Sequence, residues 1–131
     1  MKKEESFQGT KITILKNTVI GYTERDIKGC KISRKLYKEF CDRYVNVVIT
    51  DNFNNAQPIG VATNFKIVKN KFIANIELSG DIKTKGKIFR LGIRLPKRNR
   101  RKYLKNKKDY NIDCGILESI AMVEKANDVW K

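Results

Sequence analysis

The chain has 131 residues, room for one domain with a core of its own and too few for two. An apolar fraction of 40% and only two prolines exclude extended disorder and low-complexity linkers. Lysine and arginine number 29 against 14 acids, a net charge of +15 whose self-repulsion is costly unless an anionic partner absorbs it.

Along the chain, a polar start precedes residues 10–15 (TKITIL), which alternate apolar and polar side chains like a half-buried strand. Residues 18–22 (TVIGY) read as its continuation or its hairpin partner, and residues 23–31 as a loop containing Gly29. Ser33 is a candidate N-cap for a short helix, in which Leu36, Tyr37, Phe40, Cys41 and Tyr44 share one face. This is the one clear helix. Residues 45–50 (VNVVIT) are β-branched and read as a strand, followed by a turn or loop over residues 51–55 and Pro58.

Two runs then alternate strongly. In residues 61–68 the side chains of Val61, Thr63, Phe65 and Ile67 share a face, and in residues 72–78 Phe72, Ala74, Ile76 and Leu78 do the same. Residues 69–71 join them as a short hairpin loop. After a polar loop over residues 79–87, Phe89, Leu91, Ile93 and Leu95 alternate with Ile88, Arg90, Gly92 and Arg94 in a further strand that Pro96 ends. Residues 96–108 carry eight basic residues in thirteen and no acid, and read as a basic loop inserted between two late strands. Residues 116–124 (ILESIAMVE) form a late core strand. The expected architecture is a single α+β domain over residues 1–131. It is mostly antiparallel, with about six or seven strands in a barrel- or sandwich-like arrangement and one short helix.

Catalytic chemistry is hard to build from these residues. There is no histidine, so Ser-His-Asp and Cys-His arrangements are impossible. Ser33, Ser79 and Ser119 coexist with many lysines, but nothing marks one lysine as buried enough to act as a base. Asp51, Asp81, Asp109 and Asp113 fall in polar segments where turn formation explains them. Three widely spaced cysteines (Cys30, Cys41, Cys114) without histidine do not make a zinc site, and the isolated glycines do not make a phosphate loop. No catalytic residue, metal or cofactor is expected. No apolar run reaches the length of a membrane span, and residues 1–5 lack the apolar core of a signal peptide. The expectation is an intracellular protein that does not enter a membrane.

The basic segment is the stronger signal. Lys97, Arg98, Arg100, Arg101, Lys102, Lys105, Lys107 and Lys108 can pair with phosphates or carboxylates, arginine bidentately, and Tyr103 can stack on a base or a partner side chain. An AT-rich coding sequence would account for many lysines, though not for the shortage of acids to balance them.

From Gly21 to Asn127 the order of elements resembles the tailed-phage prohead (head-maturation) protease family, whose fold is shared with herpesvirus assembly proteases. The resemblance rests on the helix at residues 33–44, the strand at residues 45–50, and Asn52-Phe53-Asn54 followed by Pro58-Ile59-Gly60-Val61-Ala62-Thr63. It continues through residues 72–78 and 88–95 (IFRLGIRL) to Leu117-Glu118-Ser119-Ile120-Ala121-Met122-Val123 and Ala126-Asn127. The resemblance places Phe53 where the family has its catalytic histidine, and Arg90 or Leu91 where it has its serine. It therefore implies a degenerate scaffold without the catalytic pair. That scaffold would serve as an auxiliary or structural protein of a phage head, in the virion but made in the host cytoplasm. The basic segment would bind capsid protein, another acidic protein surface or packaged DNA, a role compatible with oligomeric assembly. The alternative is a cytoplasmic nucleic-acid-binding protein for DNA or RNA, ribosome-associated or directed against host defence.

Overall fold

A computed structural model describes residues 2–7, 10–53, 57–105 and 110–130. In chain order the elements are β1 (Lys2–Phe7), β2 (Thr10–Tyr22), β3 (Lys31–Ile32), α1 (Arg34–Arg43), β4 (Asn46–Asp51), β5 (Pro58–Val68) and β6 (Lys71–Ser79). They are followed by β7 (Lys87–Arg94), α2 (Lys97–Lys105), β8 (Asn111–Ile112), β9 (Ile116–Glu124) and a 3-10 turn over Lys125–Asn127. Seven strands form one sheet in the order β1-β2-β6-β5-β4-β9-β7, and β3 and β8 pair separately in parallel. The main sheet is antiparallel apart from the β4–β9 pair. It curls into a half-barrel whose last strand approaches β2. The expected α+β, mostly antiparallel domain is the one observed.

Helix α1 forms where the spacing placed it. The Ser33 hydroxyl accepts the Leu36 N–H, supplying one of the bonds a helix start otherwise lacks. Leu36, Tyr37 and Phe40 are buried along one face and meet the concave side of the sheet. Tyr37 stacks on Phe72 with ring centroids 4.5 Å apart, and Phe65 lies 5.9 Å beyond. Burial of each such side chain stabilises the fold by roughly 1.5–3 kcal/mol. Phe72, Ala74, Ile76 and Leu78 all point inward, as their alternation required. The hairpin loop before them narrows to Lys69 and Asn70, with Lys69 in the left-handed region at φ 57°.

Three expectations need correction. The polar start is not outside the sheet: Lys2–Phe7 pairs antiparallel with Thr10–Leu15 through backbone bonds that need no apolar pattern. Of the two readings of residues 18–22, continuation of the first strand is the one found, with a register shift between Leu15 and Thr18 where Asn17 has φ 52°. A second shift between Thr63 and Lys66, at Asn64 (φ 55°), flips the side-chain faces of β5. Ala62 and Phe65 are therefore the buried residues, and Val61 and Thr63 do not share the face of Phe65.

The third correction concerns the basic segment, which is not a loop across residues 97–105 but helix α2. Arginine, lysine and leucine are good helix formers, and proline just before the first turn is compatible with a helix start. Leu95 accepts a bond from the Arg100 side chain, Pro96 O accepts the Arg100 N–H, and the Tyr110 hydroxyl donates to Asn99 O. These contacts join α2 to β7 and to the approach to β8. Residues 106–109, including Lys107 and Lys108, lie outside the described residues.

Candidate binding site

Strand β7 does not keep the expected alternation through Leu95: its register against β9 shifts between Gly92 and Ile93, and it ends at Arg94. Phe89 points into the core and is buried. Arg90 is also buried, 7% exposed, on a strand where a free cation would be very costly. It is fully engaged: Nε and Nη2 donate to the two carboxylate oxygens of Asp128 at 2.9 and 2.8 Å. Nη1 donates to the carbonyls of Phe89 and Val19 at 2.8 and 3.2 Å. The guanidinium carbon lies 5.6 Å from the ring centroids of both Tyr22 and Trp130. The hydrogen bond from Arg90 holds the Asp128 carboxyl below its usual range, against the opposing effect of its burial. Arg90 thus pins the segment after β9 to the barrel and bridges the gap between β7 and β2.

Phe53 stands two residues past the end of β4, in a turn held by Asn52, whose backbone has φ 62°. The Asn52 N–H donates to Met122 O, and its side-chain oxygen accepts the Phe53 N–H at 3.0 Å. These bonds carry Phe53 across β9 toward β7, where Cδ1 would lie 3.8 Å from a β-carbon placed on Gly92. Phe53 remains 54% exposed. Phe53, Arg90 and Leu91 line the same 460 Å³ pocket. Phe53 and the adjacent pair Arg90 and Leu91, distant from it in the chain, thus border one pocket, with the Arg90 guanidinium turned to Asp128.

The pocket opens beside β7, facing the segment that leads into β3. Its lining is mostly apolar: Ile32, Leu91, Ile93, Leu95, Ile112 and Val129 contribute walls. Among its polar residues, Asp26 accepts the N–H groups of Lys28 and Cys30 at 2.8 and 2.9 Å, which fixes the turn. Arg90 is held as described. The chemistry of this lining is that of a receptor for an apolar group.

The serines singled out from the sequence do not meet here. Ser33 caps α1, Ser79 donates to Ile59 O at 3.2 Å, and Ser119 is buried against Gly92. Burial, aided by the neighbouring Asp42, pushes the Cys41 thiol up and makes it a poor nucleophile. Among the described residues, no group of three or more His, Cys, Asp or Glu side chains could hold a metal ion. No helix of the described residues is long and apolar enough to cross a membrane.

Helix α2 leaves the pocket at Leu95. Lys97, Arg98, Arg100 and Arg101 are exposed along it. The ion pairs among the described residues are Lys87–Glu124, Arg90–Asp128 and Arg94–Glu118, so none involves these four cations. Helical spacing puts positions 98, 101, 102 and 105 on one side of the backbone. Lys102, Tyr103 and Lys105 belong to the helix, but their side chains lie outside the described residues. Sequence reasoning found these cations by their density. It missed the helix because the run has no apolar stripe, and it missed Asp128, Tyr22 and Trp130 because nothing local marks them as partners of Arg90. Compared with protein-family models, curated proteins and solved structures, the chain matched none.

Proposed function

We propose that the chain is a non-catalytic protein of a phage head, holding acidic capsid surface or packaged DNA through α2. The observation that carries this reading is the helix itself: four exposed cations, no acid, and bonds to Leu95, just past β7, and to Tyr110, just before β8. A tethered helix presents its charges with less ordering cost than a mobile loop, so more of the pairing energy is available for binding. The resemblance of residues 21–127 to head-maturation proteases supplies the setting. Where that family has its catalytic pair, Phe53 offers no proton acceptor, and Arg90 is committed to Asp128.

The test is immunodetection of the protein in purified particles, with its copy number measured against the capsid lattice. A triple substitution, Arg98→Glu, Arg100→Glu and Arg101→Glu, is expected to remove it from particles while the fold, read by circular dichroism, is retained. Absence of the wild-type protein from both proheads and mature heads would overturn the assignment.

A cytoplasmic nucleic-acid-binding role is the second reading, favoured by the match between exposed guanidinium groups and phosphate. Binding to duplex DNA would then fall with salt at a log–log slope of about −0.9 per phosphate met, or about −3.6 if all four described cations take part. A flat salt response rejects it.

A further inference from the structure

The pocket and α2 are one continuous surface. Leu95 forms part of the pocket wall, and its carbonyl accepts from Arg100. On the opposite side Ile112 lines the pocket, and Tyr110, two residues earlier, holds Asn99 of the helix. The sheet leaves this place open. Contact between β7 and β2 is made where Arg90 reaches Val19 and where Leu91 lies over Gly21. Strand β2 ends at Tyr22, while β7 runs on to Arg94. Beyond Leu91, Ile93 and Leu95 line the pocket, across from Cys30 and Ile32.

Building on the binding role assigned to α2, we propose that this surface seats an acidic, extended segment of a partner protein. A large apolar side chain of the segment enters the pocket beside Phe53, and its carboxylates pair with Lys97, Arg98, Arg100 and Arg101. Charge complementarity selects an acidic partner, and the pocket selects a peptide over a nucleic acid. Its Ile, Leu and Val walls suit an aliphatic or aromatic side chain, which a sugar–phosphate backbone lacks. A base would set part of its donors and acceptors against the Ile, Leu and Val walls, at a desolvation cost. Of the polar residues in the lining, Asp26 accepts two backbone N–H groups and Arg90 is held by Asp128, while Asn52, Asn127 and the cation Lys28 complete it, Lys28 adding to the charge that favours an acidic segment. Phe53, half-exposed without a partner, becomes the rim that covers the inserted side chain.

The experiment is fluorescence anisotropy with the full chain and three labelled probes of matched charge: an Asp/Glu-rich peptide with one central leucine, the same peptide with alanine there, and a short duplex DNA. The leucine peptide is expected to bind about tenfold more tightly than the alanine peptide, the gain from burying most of one aliphatic side chain. Phe53→Ala, a change at an exposed rim, is expected to erase most of that difference and leave the alanine peptide unaffected. The triple Glu variant of α2 is expected to lose both peptides. Equal binding of the two peptides, tighter binding of the duplex than of the leucine peptide, or a leucine preference untouched by Phe53→Ala would overturn this inference while leaving the polyanion role of α2 intact. No binding of any probe at low salt would overturn both.

Discussion

Replacing Asp128 by alanine removes the two charge-assisted bonds that neutralise Arg90, at 2.9 and 2.8 Å. The side chains of Arg90 and Asp128 are 9% and 13% exposed, so water cannot readily take the carboxylate's place. Breaking a buried pair by removing one partner costs about 3–5 kcal/mol, because the remaining charge is left uncompensated. The carbonyls of Val19 and Phe89 and the rings of Tyr22 and Trp130 still face the guanidinium, which puts the expected loss at the lower end, about 3 kcal/mol. That is a large share of the roughly 5–15 kcal/mol that holds a domain of this kind. Urea unfolding followed by circular dichroism should show the midpoint falling by about 1.5 M. Trp130 fluorescence should change in the native baseline, because the ring packs on Tyr22 and its N–H donates to Glu24 O. Replacing both partners, Arg90→Met with Asp128→Leu, should recover most of the loss, since no unpaired charge remains. With Asp128→Asn the deficit should be full above about pH 4 and shrink as pH falls, because the native carboxyl titrates below its unfolded value. An Asp128→Ala protein within 0.5 kcal/mol of wild type would refute the reasoning, showing that the two carbonyls and rings suffice for the buried cation.

Two further outcomes test the packing around this clamp. Burial raises the Tyr37 phenol far above its ordinary range, outweighing the Arg90 charge and the hydrogen bond to Tyr22 O, so the native state keeps this proton after the unfolded chain has lost it. Stability should fall by up to about 1.4 kcal/mol per pH unit above about pH 10 from this group, and Tyr37→Phe should remove that component in paired urea titrations; parallel curves would contradict it. Gly60 lies so close to β6 that an added β-carbon would stand 2.1 Å from the Glu77 carbonyl oxygen, a backbone atom that cannot swing aside. Gly60→Ala should destabilise by about 3 kcal/mol or more in the same assay, and a change under 1 kcal/mol would mean that the β5–β6 ladder yields more easily than its register implies.

What could be read from the sequence was what neighbours in the chain decide. Leu36, Tyr37 and Phe40 behind a Ser33 cap require a helix with one buried face, and Phe72 to Leu78 require a strand with one. The missing histidine and the dense cations of residues 97–108 are composition, visible without coordinates. Other features depend on residues that meet only after folding. The backbone pairing of Lys2–Phe7 leaves no apolar signature, and a single extra residue at Asn64 reverses which side of β5 is buried. Helix α2 is held by Tyr110 and Leu95 rather than by a stripe of its own. Arg90 would read as an exposed strand residue until Asp128, 38 positions away, arrives to neutralise it. The pocket is likewise a tertiary product, since residues from Asp26 to Trp130 that are distant in the chain line it together. Local spacing sets which face of an element is apolar. The choice of partner for that face is a competition among distant segments, and it was settled by burial and charge neutralisation in three dimensions.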